Sequence, residues 1–173
     1  MAESPHLLLL LRHASAEAAR GGQPDEERSL TAEGRRTLAE IAAGMRALAL
    51  PVEVILTSPL RRARETAAVV ADAYGLGQRL EVMSALAPGG NHDAVLDGLA
   101  SCRGARGIVL VGHQPDLCVL ASTLLVGTPG LVPLPFKKAG LAGISVATLP
   151  PRAAGVLEFF LTPVQLCRIG GAG

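Results

Sequence analysis

Five consecutive leucines, Leu7–Leu11, run without a spacer into Arg12 and His13. An all-apolar run this short reads as a strand covered on both faces, as in a mostly parallel sheet; a buried helical segment fits it too, because periodicity does not separate the two. The polar pair then falls at the carboxyl end of a central strand, the rim at which open α/β sheets bind ligands. A guanidinium beside an imidazole at such a rim suits an anion, most often a phosphate. Taken alone, the dipeptide equally marks the plain end of a buried strand.

The rest of the chain decides between those readings. Its 173 residues suit one domain (1–173) with a single core. With 49% hydrophobic residues, 2% aromatics and no Trp, that core has to be built from Leu, Val, Ile and Ala. A net charge of +1 gives no overall pull toward nucleic acid or a membrane surface, so any anion must be held by a local cluster. Cys102, Cys118 and Cys167 are odd in number and widely spaced, which predicts reduced, buried or half-buried thiols and neither a disulfide frame nor a zinc site. The leucine run is too short to span a bilayer, and no Lys or Arg precedes it as in a signal peptide. A cytoplasmic domain of enzyme size is the expectation.

Residues 14–28 are polar and read as an excursion over the top of the sheet. Residues 29–50 carry Leu38, Ile41, Ala42, Met45 and Leu48 on one helical stripe, with Thr31 as N-cap. A second strand over 52–57 leads into Ser58–Pro59, read as N-cap and N1 of a helix that Gly75 stops. A short strand over 79–82, a turn-rich loop over 87–91 and a short helix over 93–102 follow. The third apolar strand, 107–111, ends at Gly112–His113, where Gly112 permits close backbone approach, and Pro115 opens another helix. Residues 128–140 form a Pro- and Gly-rich loop, 143–148 and 155–161 an antiparallel strand pair, and Gly170–Gly173 a frayed end.

The same grammar thus appears three times: an apolar strand, then residues suited to chemistry, then a loop or helix. The instances are LLLLLRHA with Arg12 and His13, VILTSPLRRARET with Arg61, Arg62 and Arg64, and IVLVGHQP with His113. Two of the strands feed helix amino termini, which attract anions through unpaired N–H groups and the macrodipole. Convergence of all three on one rim is far less probable by chance than any one alone.

RHA, the stretch D-x-x-R-x-L-T (Asp25, Arg28, Leu30, Thr31), SPLRRARET and GHQP, in that order, resemble the histidine phosphatase superfamily, branch 1, and within it the compact bacterial phosphohistidine phosphatase (SixA) branch. The likeness implies a phosphoglycerate-mutase-like fold, a three-layer α/β/α sandwich around a mostly parallel central sheet. It also implies that His13 is the nucleophile, that Arg12, Arg62 and His113 hold phosphoryl oxygens, and that Arg28 lies beside the pocket. Neither cofactor nor metal is implied; cationic neighbours and the lack of Cys or carboxylate partners argue against Zn²⁺ between His13 and His113. A histidine nucleophile needs one neutral nitrogen facing phosphorus, so the other should donate a hydrogen bond that fixes the tautomer.

One departure bears on substrate. Many branches carry a glutamate after the third strand region as acid for an alcohol leaving group, whereas here the stretch reads SALAPGGNHD. A positioned acid is worth roughly 10²–10⁴-fold, so its absence disfavours phosphomonoesters. Phosphohistidine leaves as an imidazole that is protonated before P–N cleavage. Asp93 reads either as a substitute acid or as a helix cap. The expected substrate is a phosphorylated protein such as a histidine phosphotransfer domain, with a phosphate ion in the site and no nucleic-acid or membrane partner. The alternatives are a small phosphorylated substrate or a binding module without turnover. His6 and His92 read as surface histidines, Arg61 and Arg64 as solvent-facing, and Lys137 and Lys138 as a solvated pair, with steering of an acidic partner the other reading. Ser15 and Ser58 read as turn and cap residues.

Overall fold

The computed structural model describes residues 5–171. The leucine run does form the central strand, β1 (His6–Arg12), and it lies between β4 (Gly107–Gly112), paired parallel, and β5 (Leu141–Val146), paired antiparallel. β2 (Val54–Thr57) and β3 (Leu80–Val82) extend the parallel side, and β6 (Val156–Leu161) closes the other edge as the antiparallel partner of β5. The order is β3-β2-β4-β1-β5-β6.

Alternation along β1 shows why every leucine is needed. Leu8 and Leu10 enter one core with Ile108 and Leu110, under α4 (Asp116–Val126) and α3 (His92–Gly98). Leu9 and Leu11 enter the other with Ile55, Val109 and Val111, under α1 (Ala32–Ala47), α2 (Arg61–Tyr74) and Leu166 of α5 (Pro163–Gly170). Successive side chains of a strand point to opposite faces, so a strand between two helical layers must be apolar at every position, and the result is the expected three-layer sandwich. Replacing one of these leucines by Ala costs about 2–5 kcal/mol.

Several local expectations are corrected. α1 is shorter than predicted: Thr31 does cap it, its side chain accepting from Gly34 N at 2.9 Å, but the helix stops before a left-handed residue, Ala49. α2 begins at Arg61 with Leu60 as N-cap, so Ser58–Pro59 is not its cap pair. The space beside Gly112 is filled by the Leu117 side chain, not by backbone. α5 was not anticipated. Of the tail expected to fray, 172–173 lie outside the described residues, and Gly170 instead closes α5. There the close packing is real: a Cβ on Gly44 would come 2.2 Å from Leu166 O, and one on Gly170 2.5 Å from Glu40 O. Cys102 is buried and Cys118 and Cys167 are half-buried, all three as free thiols. Among the described residues no helix is long and apolar enough to cross a membrane.

Candidate active site

β1 and β4 run side by side, Arg12 opposite Gly112, so their carboxyl ends deliver Arg12, His13 and His113 to one spot on the rim. β2, the other neighbour of β4, ends at Thr57, and the first turn of α2 carries Arg62 to the same place. The result is a cavity of about 300 Å³ lined by Arg12, His13, Asp25, Arg28, Arg62, His113, Gln114 and Lys138, with Ala16 and Pro88 at its sides. All five residues singled out from the sequence for this site therefore meet. The His13 and His113 rings lie 5.1 Å apart, tilted by 52°.

His13 is 7% exposed, and its Nδ1 lies 2.8 Å from the carbonyl oxygen of Ala14. A carbonyl only accepts, so Nδ1 carries the proton and Nε2 keeps its lone pair. Burial, opposed by that hydrogen bond and reinforced by Arg62, Arg12 and Lys138, pushes His13 down to about 4. His113 falls to about 3, first through burial and then through His13 and Arg62. Both imidazoles are neutral at neutral pH.

His113 Nε2 is 2.7 Å from Ser58 Oγ, which already accepts from Leu60 N at 3.3 Å. With the Oγ–H donating to Nε2, the ring proton sits on Nδ1, a buried atom with no hydrogen-bond partner among the described residues. The Nε atoms of Arg12 and Arg62 are likewise buried without an acceptor. All three belong to residues that line the cavity, and two guanidiniums and an imidazole grouped in this way suit an oxyanion.

Asp25 organises the arginines. Arg62, 5% exposed, donates from Nη2 to Asp25 Oδ2 at 2.9 Å and from Nη1 to Asp25 O at 2.8 Å. Arg28 donates from Nε to Oδ1 at 2.8 Å and from Nη1 to Glu17 O at 3.0 Å. Partial burial works against ionisation of Asp25, but Arg62 and then Arg28 outweigh it and hold the carboxyl below the usual carboxylate range.

Other expectations change here. Asp93 is exposed in the first turn of α3 and lines a different hollow, with Arg152 and Pro150; Asn91, not Asp93, caps the helix. His6 and His92 are not simple surface residues: His6 Nδ1 lies 2.7 Å from Ala105 O, and His92 Nε2 lies 3.3 Å from Asp116 Oδ1. Arg61 is solvent-facing, as expected, and its Nε donates to Glu65 at 2.9 Å. Lys138 and Ser58, read as a solvated lysine and a cap, belong to the site or its support. The D-x-x-R spacing was the available signal for Asp25.

Comparison with known proteins gives a consistent picture. Residues 8–87 match the family model described as histidine phosphatase superfamily (branch 1). An uncharacterised protein of Picosynechococcus sp. is 38% identical over 156 residues, covering 89% of this chain and 93% of that one. Phosphohistidine phosphatase SixA of Escherichia coli (strain K12) is 26% identical, covering 92% and 95%. The structure of the protein histidine phosphatase SixA complexed with tungstate superposes with a TM-score of 0.81 at 24% identity, over 92% of this chain and 99% of that one. A mycobacterial glucosyl-3-phosphoglycerate phosphatase shares the fold at a TM-score of 0.67 and 19% identity, over 92% and 100%.

Proposed function

We propose, given that the chain belongs to the histidine phosphatase superfamily (branch 1) and is a phosphatase by that membership, that it hydrolyses protein phosphohistidine through a covalent phospho-His13 intermediate. The observation that carries the nucleophile's assignment is the Nδ1 contact of His13 to Ala14 O, which leaves a neutral Nε2 as the attacking atom.

In the first step Nε2 attacks phosphorus in line. The P–Nε2 bond forms as the substrate's P–N bond breaks, and the electron pair leaves with the substrate imidazole. That ring departs neutral when its second nitrogen already holds a proton, so no protein acid is required. Arg12, Arg62 and the His113 Nδ1–H supply donors for the equatorial oxygens, whose charge is the main thing the protein must stabilise. In the second step water attacks the phosphoryl group, the P–Nε2 pair returns to His13, and the water proton leaves with the phosphate. Arg28 steadies the rim through Asp25.

The leaving-group argument favours phosphohistidine. The loop that bears Pro88 offers no carboxylate to the cavity, and Asp93 lines another hollow. A small phosphomonoester is the second reading, supported by small-molecule phosphatases among the fold neighbours. Phosphate release from a phosphohistidine peptide, without added metal and with His13→Ala as control, tests the proposal. Turnover that vanishes in the variant is expected. A wild type faster on phosphoserine or sugar phosphates refutes the substrate assignment, and activity surviving in His13→Ala refutes the nucleophile.

A further inference from the structure

Lys138 is exposed, yet it lines the same cavity as Arg12, His13, Arg62 and His113. Among the described residues it enters no ion pair, whereas Arg28 and Arg62 are both engaged by Asp25. Its position is fixed by the backbone. Arg12 Nη1 donates to Phe136 O at 2.7 Å, and Arg12 N donates to Gly140 O at 3.1 Å. Between those two points the Ala139 N–H reaches both Arg12 O (3.1 Å) and His13 O (3.2 Å), and Gly140 N closes the turn on Lys137 O at 2.8 Å.

Ala139, 3% exposed, holds a left-handed conformation with φ of 60°. A non-glycine residue rarely adopts that backbone and is strained in it, and such strain persists only where the surroundings over-determine it. Here the surroundings are the backbone atoms of Arg12 and His13 themselves. The strap therefore binds the residue next to Lys138 to the strand end that carries the nucleophile. The neighbouring Lys137 is exposed and does not line the cavity.

Accepting the reading of this cavity as a phosphoryl site, we propose that Lys138 is a further phosphoryl-binding residue, its ammonium holding a non-bridging oxygen of the transferring group. A lysine does this as a mobile point charge, complementing the fixed forks of Arg12 and Arg62. The charge acts on the phosphoryl group and not on the leaving group, so its effect is the same for every substrate.

The test compares wild type, Lys138→Met and Lys138→Arg for tungstate binding by calorimetry and for turnover of p-nitrophenyl phosphate and phenyl phosphate, whose leaving groups differ in basicity. Lys138→Met is expected to weaken tungstate about tenfold or more and to lower kcat/KM by a similar factor for both esters, with an unchanged melting temperature. Lys138→Arg restores most of both. A loss confined to phenyl phosphate with tungstate binding intact makes Lys138 a leaving-group acid and overturns the proposal. Unchanged binding and turnover make it a solvated lysine and overturn it equally. A wild type that binds tungstate and cleaves aryl phosphates but not phosphohistidine leaves this proposal standing while the substrate assignment falls. A wild type that binds no tungstate removes both.

Discussion

Charging the two buried imidazoles is the perturbation that ties this site to the stability of the whole fold. His13 in the folded protein titrates at about 4 and in the unfolded chain near its ordinary 6.5. Between those values the unfolded chain binds the proton and the folded one does not, so stability falls as the pH drops from about 6.5 toward 4. At about pH 5 the unfolded imidazole is almost fully protonated and the folded one mostly neutral. At about 1.4 kcal/mol per pH unit the difference is roughly 2 kcal/mol for His13. His113, at about 3, contributes a similar roughly 2 kcal/mol over the same window. Asp25 and Glu65 have the opposite sense: their carboxyls are held low, so their stabilisation is intact at about pH 5 and is lost only at more acid pH.

Urea unfolding at about pH 7.5 and 5 reads the effect directly, by far-UV circular dichroism since the chain has no Trp. The buffer must be free of phosphate and sulfate, because a bound anion favours the imidazolium forms and flattens the profile. Wild type is expected to lose roughly 4 kcal/mol from the two histidines, and His13→Asn about half as much. Every ionisable group other than His13, His113 included, is present in both proteins, so the difference between the two losses reads His13. Equal losses in wild type and variant refute the reasoning, for they mean that His13 is as easily charged inside the fold as outside it.

Two further outcomes follow from packing and hydrogen bonding. Ser58→Ala removes the hydroxyl paired with His113 Nε2 and is expected to cost about 1–2 kcal/mol in urea melts; turnover should fall about tenfold with little change in KM, as the ring loses its fixed tautomer. Gly107→Ala places a Cβ 1.3 Å from Pro51 O, whereas a Cβ on Gly104 meets nothing within 4 Å. Expression should give no native protein for Gly107→Ala and ordinary protein for Gly104→Ala.

The strands were legible because burial on both faces leaves no room for a polar residue, and the runs at 7–11 and 107–111 announce this directly. Their order was not: nothing in the chain says that β4 inserts between β1 and β2, and only the common destination of the three motifs hinted at it. α5 carried its own signals in Thr162, Gln165 and Pro163, and its capping box is present. A helix of only eight residues, closed by Gly170, nonetheless gives periodicity too short a window to read, and it is held by backbone-close packing of Gly170 and Leu166 against α1. That packing involves residues more than a hundred positions away and leaves no local pattern.

The site divides along the same line. Local pattern put Arg12, His13 and His113 at strand ends and Arg61, Arg62 and Arg64 together at a helix start, while the choice of Arg62 and the four roles came from the resemblance of the ordered motifs to the family. Asp25, Ser58 and Lys138 could not be given their roles, since each depends on what another segment brings alongside. Lys138 reaches the cavity only because the strap over 136–140 is pinned to the backbone of Arg12 and His13. The leucine run, finally, acts beyond the core. The same apolar sandwich that makes β1 a central strand removes water from around His13, and burial is the largest cause of its lowered pKa. A hydrated imidazole among Arg12, Arg62 and Lys138 would still be partly protonated near neutral pH and blunted as a nucleophile; a buried one is neutral and ready. The strand that fixes the fold therefore also supplies the electronic state that the proposed chemistry needs, so core substitutions that admit water beneath His13 should slow turnover before they unfold the protein.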